Sequence, residues 1–133
     1  MPTESERVTA LESIPIFADL SQASLQRIID VAGELEAAAG QVLVQPRTEG
    51  SGMYVVEEGT VVVERGGKTF ELGPGEFFGE LALLTSSTRT ARVRAKTPAR
   101  LLAISRSEFR NLLESEPKMA ICMLETLAKR LAG

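Results

Sequence analysis

The sequence predicts a mixed, mainly β fold: an antiparallel β-roll or jelly roll flanked by N-terminal helices and by two C-terminal helices. Three observations lead there. Apolar residues recur at helical spacing in residues 1–33 and again in 105–131. Within 34–104 the period drops to two, in about seven or eight short β-branched runs divided by glycine-bearing turns. Helices do not alternate with these runs, which argues against an α/β fold. The whole chain, 1–133, is read as one domain.

Taken in order, residues 4–14 suit a short helix with Val8, Leu11 and Ile14 on one side, and Pro15 blocks its continuation. Ser21 is an N-cap for a second helix, in which Leu25, Ile28, Ile29 and Ala32 fall at i, i+3, i+4 and i+7, with Gly33 as its end. From Gly40 the pattern is strand-like. Val42–Val44, Met53–Val56 and Val61–Val63 are separated by turns at Arg47–Gly52 and at Gly59, the latter read as a hairpin. Gly66-Gly67 between Val61–Arg65 and Lys68–Leu72 is a two-residue hairpin signal, since both positions tolerate positive φ. Ala91, Val93 and Ala95 alternate with Arg92, Arg94 and Lys96, which gives a strand with one apolar and one solvated face. Pro98 turns the chain into Arg100–Ile104. Ser105 and Glu108 form a capping-box pattern ahead of Phe109, Leu112 and Leu113. Pro117 suits the first turn of a last helix, whose expected buried stripe is Ala120, Met123, Leu124, Leu127, Ala128 and Leu131.

Composition removes several function classes. Of 133 residues, 44% are apolar and 25% charged, with a net charge of −3 and the two signs interleaved, so there is no basic field for a nucleic-acid partner. No apolar run approaches the roughly 18 residues of a membrane span, and a cytoplasmic location is the expectation. Cys122 is the only cysteine and there is no histidine. A serine-histidine-acid triad, histidine-bearing zinc sites and histidine-ligated haem are therefore excluded. No Asp/Glu run has calcium-loop spacing. The expectation is a non-enzyme with no metal site and no cofactor.

The stretch Phe77–Ala91 is where residues call for a ligand. Strand parity carried back from Ala91 puts Arg89 on the buried side, where an unpaired guanidinium would cost several kcal/mol. Its anionic partner is either Glu80, as an internal ion pair, or the phosphate of a ligand, which a guanidinium grips bidentately. Backbone N–H groups near Leu81 and Ala82, at the start of a short helix, would add donors to a phosphate. Glu80 would repel that phosphate but suits a hydroxyl donor such as a ribose 2′-OH. Gly79 lets a ligand approach the backbone.

Phe78-Gly79-Glu80-Leu81-Ala82-Leu83, followed by Arg89-Thr90-Ala91 with Arg89 nine positions after Glu80, resembles the phosphate-binding cassette of cyclic-nucleotide-binding domains. With the Gly59 turn, Pro74-Gly75 and the flanking helices, the resemblance covers nearly residues 14–131. It implies a β-roll in which Glu80 holds the ribose 2′-OH and Arg89 the cyclic phosphate. Backbone groups of Gly79, Leu81, Ala82 and Ala91 surround them, and Val63 helps wall the purine pocket. Thr88 stands where the family often has proline. Thr90 resembles a position that favours cGMP in some members, but members accepting cAMP carry a hydroxyl there too, and no base preference is read from it. Arg130 matches a basic position of the family's last helix that can approach the ligand as part of a lid.

The function expected is a free-standing sensor of cAMP or cGMP that signals by rearranging its C-terminal helix. A protein partner or self-association would receive the output. Met1 and the polar start favour a free-standing domain over a piece of a channel or kinase. The alternative is a protein-interaction module with the same roll, in which Glu80 and Arg89 pair with each other.

Overall fold

The computed structural model describes residues 3–44, 52–79 and 91–132. They pack as two units, Ala32–Arg106 and Met1–Val31 with Ser107–Gly133.

Apart from its last residue, the first unit forms only strands and turns among the described residues. Among the described residues it has eight strands: β1 (Gly33–Ala37), β2 (Val42–Val44), β3 (Gly52–Glu58), β4 (Val61–Arg65), β5 (Lys68–Leu72), β6 (Phe77–Phe78), β7 (Arg92–Ala95) and β8 (Ala99–Ser105). They form two four-stranded sheets, β1-β8-β3-β6 and β2-β7-β4-β5, with every pairing antiparallel. Between the sheets lies one apolar layer, to which Val44, Val61, Val63 and Val93 come from one side and Val56, Phe78 and Leu101 from the other. The predicted parity holds in β7: Val93 and Ala95 are buried while Arg92 and Lys96 are exposed. Outward, Arg94 Nε donates to Glu64 Oε1 at 3.1 Å and Lys96 Nζ to Glu71 Oε2 at 2.8 Å. Both pairs are solvated and so add little to stability.

The Gly66-Gly67 hairpin forms as expected, with φ of +59° and +79° at the two glycines and Arg65 opposite Lys68. Gly59 behaves differently from the hairpin read in the sequence. β3 and β4 belong to different sheets, so Gly59 is a corner where the chain crosses from one to the other. Its φ is +88°, and a Cβ there would lie 2.3 Å from the Pro98 carbonyl oxygen. The corner is held by Lys96 N donating to Thr60 O at 2.9 Å and by Thr60 N donating to Thr97 Oγ1 at 3.0 Å.

Three further boundaries depart from the sequence reading. Gly33 opens β1 instead of merely ending a helix, and Ala32 lies outside the helix. Only Leu35 and Ala37 of β1 face inward, too few to register as a period. Gly52 is a strand residue paired with Ser105, and β6 is a strand of two residues, too short for any pattern. The rest of the Arg47–Gly52 turn lies outside the described residues.

The second unit is helical and built from both ends of the chain. α1 (Glu4–Glu12) carries a capping box between Thr3 and Glu6, and a 3₁₀ turn follows at Pro15–Phe17. α2 (Gln22–Val31) is capped as predicted, with Ser24 N donating to Ser21 Oγ at 3.2 Å. α3 (Arg106–Ser115) and α4 (Pro117–Ala132) complete it. Links between the chain ends include the Ser24 hydroxyl donating to the Glu116 carboxylate and the Cys122 thiol donating to the Pro15 carbonyl at 3.6 Å. Burial pushes the Cys122 thiol up from its ordinary pKa, and the negative charges of Glu125 and Asp19 add to this against the opposing effect of Lys129.

The stripe expected on α4 is only partly the buried one. Met119 and Met123 are buried, whereas Leu124 and Leu131 are 65% and 87% exposed. α4 carries apolar residues on two sides, Met119-Met123-Leu127 and Ile121-Leu124-Ala128-Leu131, and both sets satisfy helical spacing. Periodicity alone therefore could not choose between them.

The Gly59 corner is testable. Gly59→Ala should lose at least ~2 kcal/mol in urea denaturation, combining left-handed strain with a clash against backbone. Gly66→Ala, with nothing within 4 Å of the added Cβ, should lose about 1 kcal/mol from strain alone.

Candidate functional site

The described edges of the Phe77–Ala91 stretch are set by a turn, a stacked ring pair and a strand start. Gly73–Glu76 is a tight turn in which Glu76 N donates to Gly73 O at 3.1 Å, with Pro74 and then Gly75 at φ +88° in its middle. Proline presets the first central angle and glycine supplies the positive second one. The Glu76 carboxylate closes back on Gly73 N at 2.7 Å. The turn is tied to β3 by Gly75 N donating to Val56 O and Val56 N to Glu76 O, each at 2.8 Å. It thereby delivers β6 alongside β3.

In β6, Phe77 pairs with Val55 and Phe78 with Tyr54, so the two rings go to opposite faces of the sheet. Phe78 enters the apolar layer and stacks on Tyr54, with ring centroids 5.2 Å apart and planes 24° apart. Gly79 follows at φ +92°, a backbone angle at which a side chain would be strained. On the other side of the stretch, Ala91 packs against the same apolar layer just before β7. Val63, opposite Val93 in β4, belongs to that layer and is 5% exposed.

Val63, Gly79 and Ala91 are thus gathered at one apolar layer, Gly79 through its neighbour Phe78. Glu80, Leu81, Ala82, Arg89 and Thr90 lie outside the described residues. Arg130 is half-buried on α4, in the helical unit. The sequence reading assigned no role to Phe78 or Tyr54, although they hold the start of the stretch. The adjacent Phe77-Phe78 pair was the available signal, since two neighbouring bulky rings on an extended segment must anchor both faces of a sheet. Among the described residues no group of acidic or cysteine side chains is placed to hold a metal, and no helix is long and apolar enough to cross a membrane.

Residues 34–116 match the family described as the cyclic nucleotide-binding domain. The chain belongs to this family. A cyclic nucleotide-gated potassium channel of Rhizobium etli is 33% identical over 121 residues, which cover 91% of this chain and 34% of the channel. The chain spans about a third of that relative's length. The Catabolite Activator Protein of Thermus thermophilus superposes with a TM-score of 0.77 at 29% identity, covering 89% of this chain and 58% of that one. The regulatory subunit of a cAMP-independent protein kinase A from Trypanosoma brucei does so with a TM-score of 0.81 at 26% identity, covering 95% and 47%. The mainly β architecture with helices contributed by both chain ends is the fold of this cyclic nucleotide-binding family, a ligand-binding domain.

Removing the ring that anchors the start of the stretch should be costly. Phe78→Ala is expected to destabilise the domain by about 3–5 kcal/mol, the range for emptying a buried aromatic site. Tyr54→Phe, which keeps the stacked ring, should stay within ~0.5 kcal/mol; equilibrium denaturation of both variants checks the difference.

Proposed function

We propose that this domain is a cytoplasmic, non-catalytic sensor that binds cAMP or cGMP free-standing and passes the signal through its C-terminal helix to a protein partner or a second copy. Arg89 pairs with the cyclic phosphate, Glu80 accepts the ribose 2′-OH, and backbone groups of Gly79, Leu81, Ala82 and Ala91 line the ligand. Thr90 stands beside them, and Val63 faces the base. The observation that carries this reading is the bracketing of residues 80–90. Gly79 leaves β6 at a positive φ, and Ala91 rejoins the apolar layer that also holds Val63 and Phe78. This reading assigns the charge of Arg89, two positions before Ala91, to the side of that layer.

The energetics follow from the charges. A bidentate guanidinium–phosphate pair inside an apolar roll is far stronger than in water, and a carboxylate a few ångströms away selects a ligand with a hydroxyl donor beside its phosphate. Ligand binding shifts the domain toward whichever arrangement of the last helix binds more tightly, and Arg130 on that helix is the candidate lid residue. In this reading the ligand is held and not hydrolysed.

A second reading has one observation in its favour. The Trypanosoma brucei relative in this fold is the regulatory subunit of a kinase described as cAMP-independent. By analogy, the domain would serve as a protein-interaction module in which Glu80 and Arg89 neutralise each other.

Calorimetric titration separates the two. cAMP or cGMP should bind, 5′-AMP and 2′-deoxy-cAMP much more weakly, and Arg89→Ala should lose roughly 2 to 5 kcal/mol of binding energy. In Glu80→Ala, cAMP and 2′-deoxy-cAMP should bind equally, because the partner of the 2′-OH is gone. No binding of either cyclic nucleotide at millimolar concentration would leave the interaction-module reading standing.

A further inference from the structure

α4 buries only one of its two apolar sides. Met119 and Met123 are covered, while Ile121, Leu124 and Leu131 on the other side are 55%, 65% and 87% exposed, and Ala128 is exposed with them. Ile121, Leu124, Ala128 and Leu131 are separated by steps of three, four and three, the spacing of a seam along which one helix packs against another at a shallow angle. Single hydrophobic residues scattered on a surface need no explanation, but a continuous stripe along a helix marks an interaction surface.

The stripe is complementary to itself when a second copy of the helix runs antiparallel. In that register Leu124 of each copy stands over Ala128 of the other, and Ile121 over Leu131, so large and small positions interlock. A parallel copy would set Ala128 against Ala128 and leave a gap in the seam. The charges favour the same arrangement. Glu125 and Lys129 are exposed along one flank of the stripe, and antiparallel helices bring like flanks together. The Glu125 carboxylate of each copy then lies between Lys129 of its own helix and Lys129 of the other; the two glutamates approach near the symmetry axis, but the four charges sum to zero. In a parallel pair Glu125 would meet the opposite flank, Ala120 and Leu127, which carries no charge. We propose that α4 pairs antiparallel with α4 of a second copy of this chain, through Ile121, Leu124, Ala128 and Leu131, in a two-fold symmetric dimer. This gives the output of the functional reading a recipient, while the interface itself rests on the helix alone and forms with or without nucleotide. One pair of 16-residue helices falls short of the ~1,600 Å² of a standard interface, so the dimer is a weak one.

Sedimentation equilibrium of the intact chain without nucleotide is the test. The mass should rise from monomer toward dimer as protein is raised from micromolar to millimolar concentration. Leu124→Glu, which puts a charge into both central layers, should weaken the association at least about tenfold. Should that variant fail to fold, Leu131→Glu, at a position 87% exposed, takes its place. Orientation is read in a Cys122→Ser background, which leaves no other thiol. Under oxidation, an equal mixture of its Leu124→Cys and Ala128→Cys derivatives should form mixed disulfide dimers faster than either derivative links to itself. A chain that stays monomeric at millimolar concentration, a dimer indifferent to both glutamate substitutions, or Leu124→Cys alone linking as fast as the mixture would overturn the proposal. A chain that dimerises in this way but binds no cyclic nucleotide would remove the sensor reading and leave the interface standing.

Discussion

The chain changes sheets between Glu58 and Val61 at a point where the Pro98 carbonyl already occupies the space a side chain would need. A residue without a Cβ and able to hold a positive φ is the solution, and the bonds from Lys96 N to Thr60 O and from Thr60 N to the Thr97 hydroxyl pin the chain there. From this crossing follow the placement of Val61 opposite Ala95 and of Val63 opposite Val93, and the apolar layer between the sheets. The crossing also explains why β3 can use one edge for β8 and the other for β6 while β4 starts a separate sheet. Were the turn an ordinary hairpin, β4 would take the edge where β6 now lies, and the strand leading into Gly79 would have no partner.

The two described edges of the Phe77–Ala91 stretch meet that apolar layer through unequal anchors. One end is fixed by a turn with four backbone or side-chain bonds and by the stacked Tyr54 and Phe78 rings. The other end is fixed by the inward parity of β7. Between them the sequence carries two charged residues of opposite sign, Glu80 and Arg89, to which the proposed function assigns the hydroxyl and the phosphate of one ligand.

How much of this could be read from residues alone depended on how many neighbouring positions repeated the same signal. β7 was legible because three inward and three outward residues alternate without a break, and the Gly66-Gly67 turn because both glycines are needed for one backbone shape. β1 and β6 were not, since Gly33–Ala37 offers two inward residues and Phe77–Phe78 is shorter than any period. Gly59 was recognised as a turn, but whether a turn joins strands of one sheet or of two depends on distant pairing, here on Pro98 and Thr97, which local sequence does not contain. α4 misled for the opposite reason: it has more apolar residues than one face can use, so two stripes fitted and burial chose Met119 and Met123. Around the candidate site, Phe77 and Phe78 went unread as anchors because their meaning lies in their partners Val55 and Tyr54 across β3.

The pairing of β1 with β8 has a consequence for the other unit. Gly33 stands opposite Ala103, so the strand that opens the β unit and the strand that closes it run side by side. The helical segments before and after are therefore released from neighbouring points, although most of the sequence separates them. For those helices the folded roll acts as a short tether, replacing the entropy of a long loop with a high effective concentration of one chain end near the other. Bonds such as Ser24 to Glu116 and Cys122 to Pro15 are then nearly local events. The helical unit should gain its order after the roll has closed, and lose it first when the roll opens.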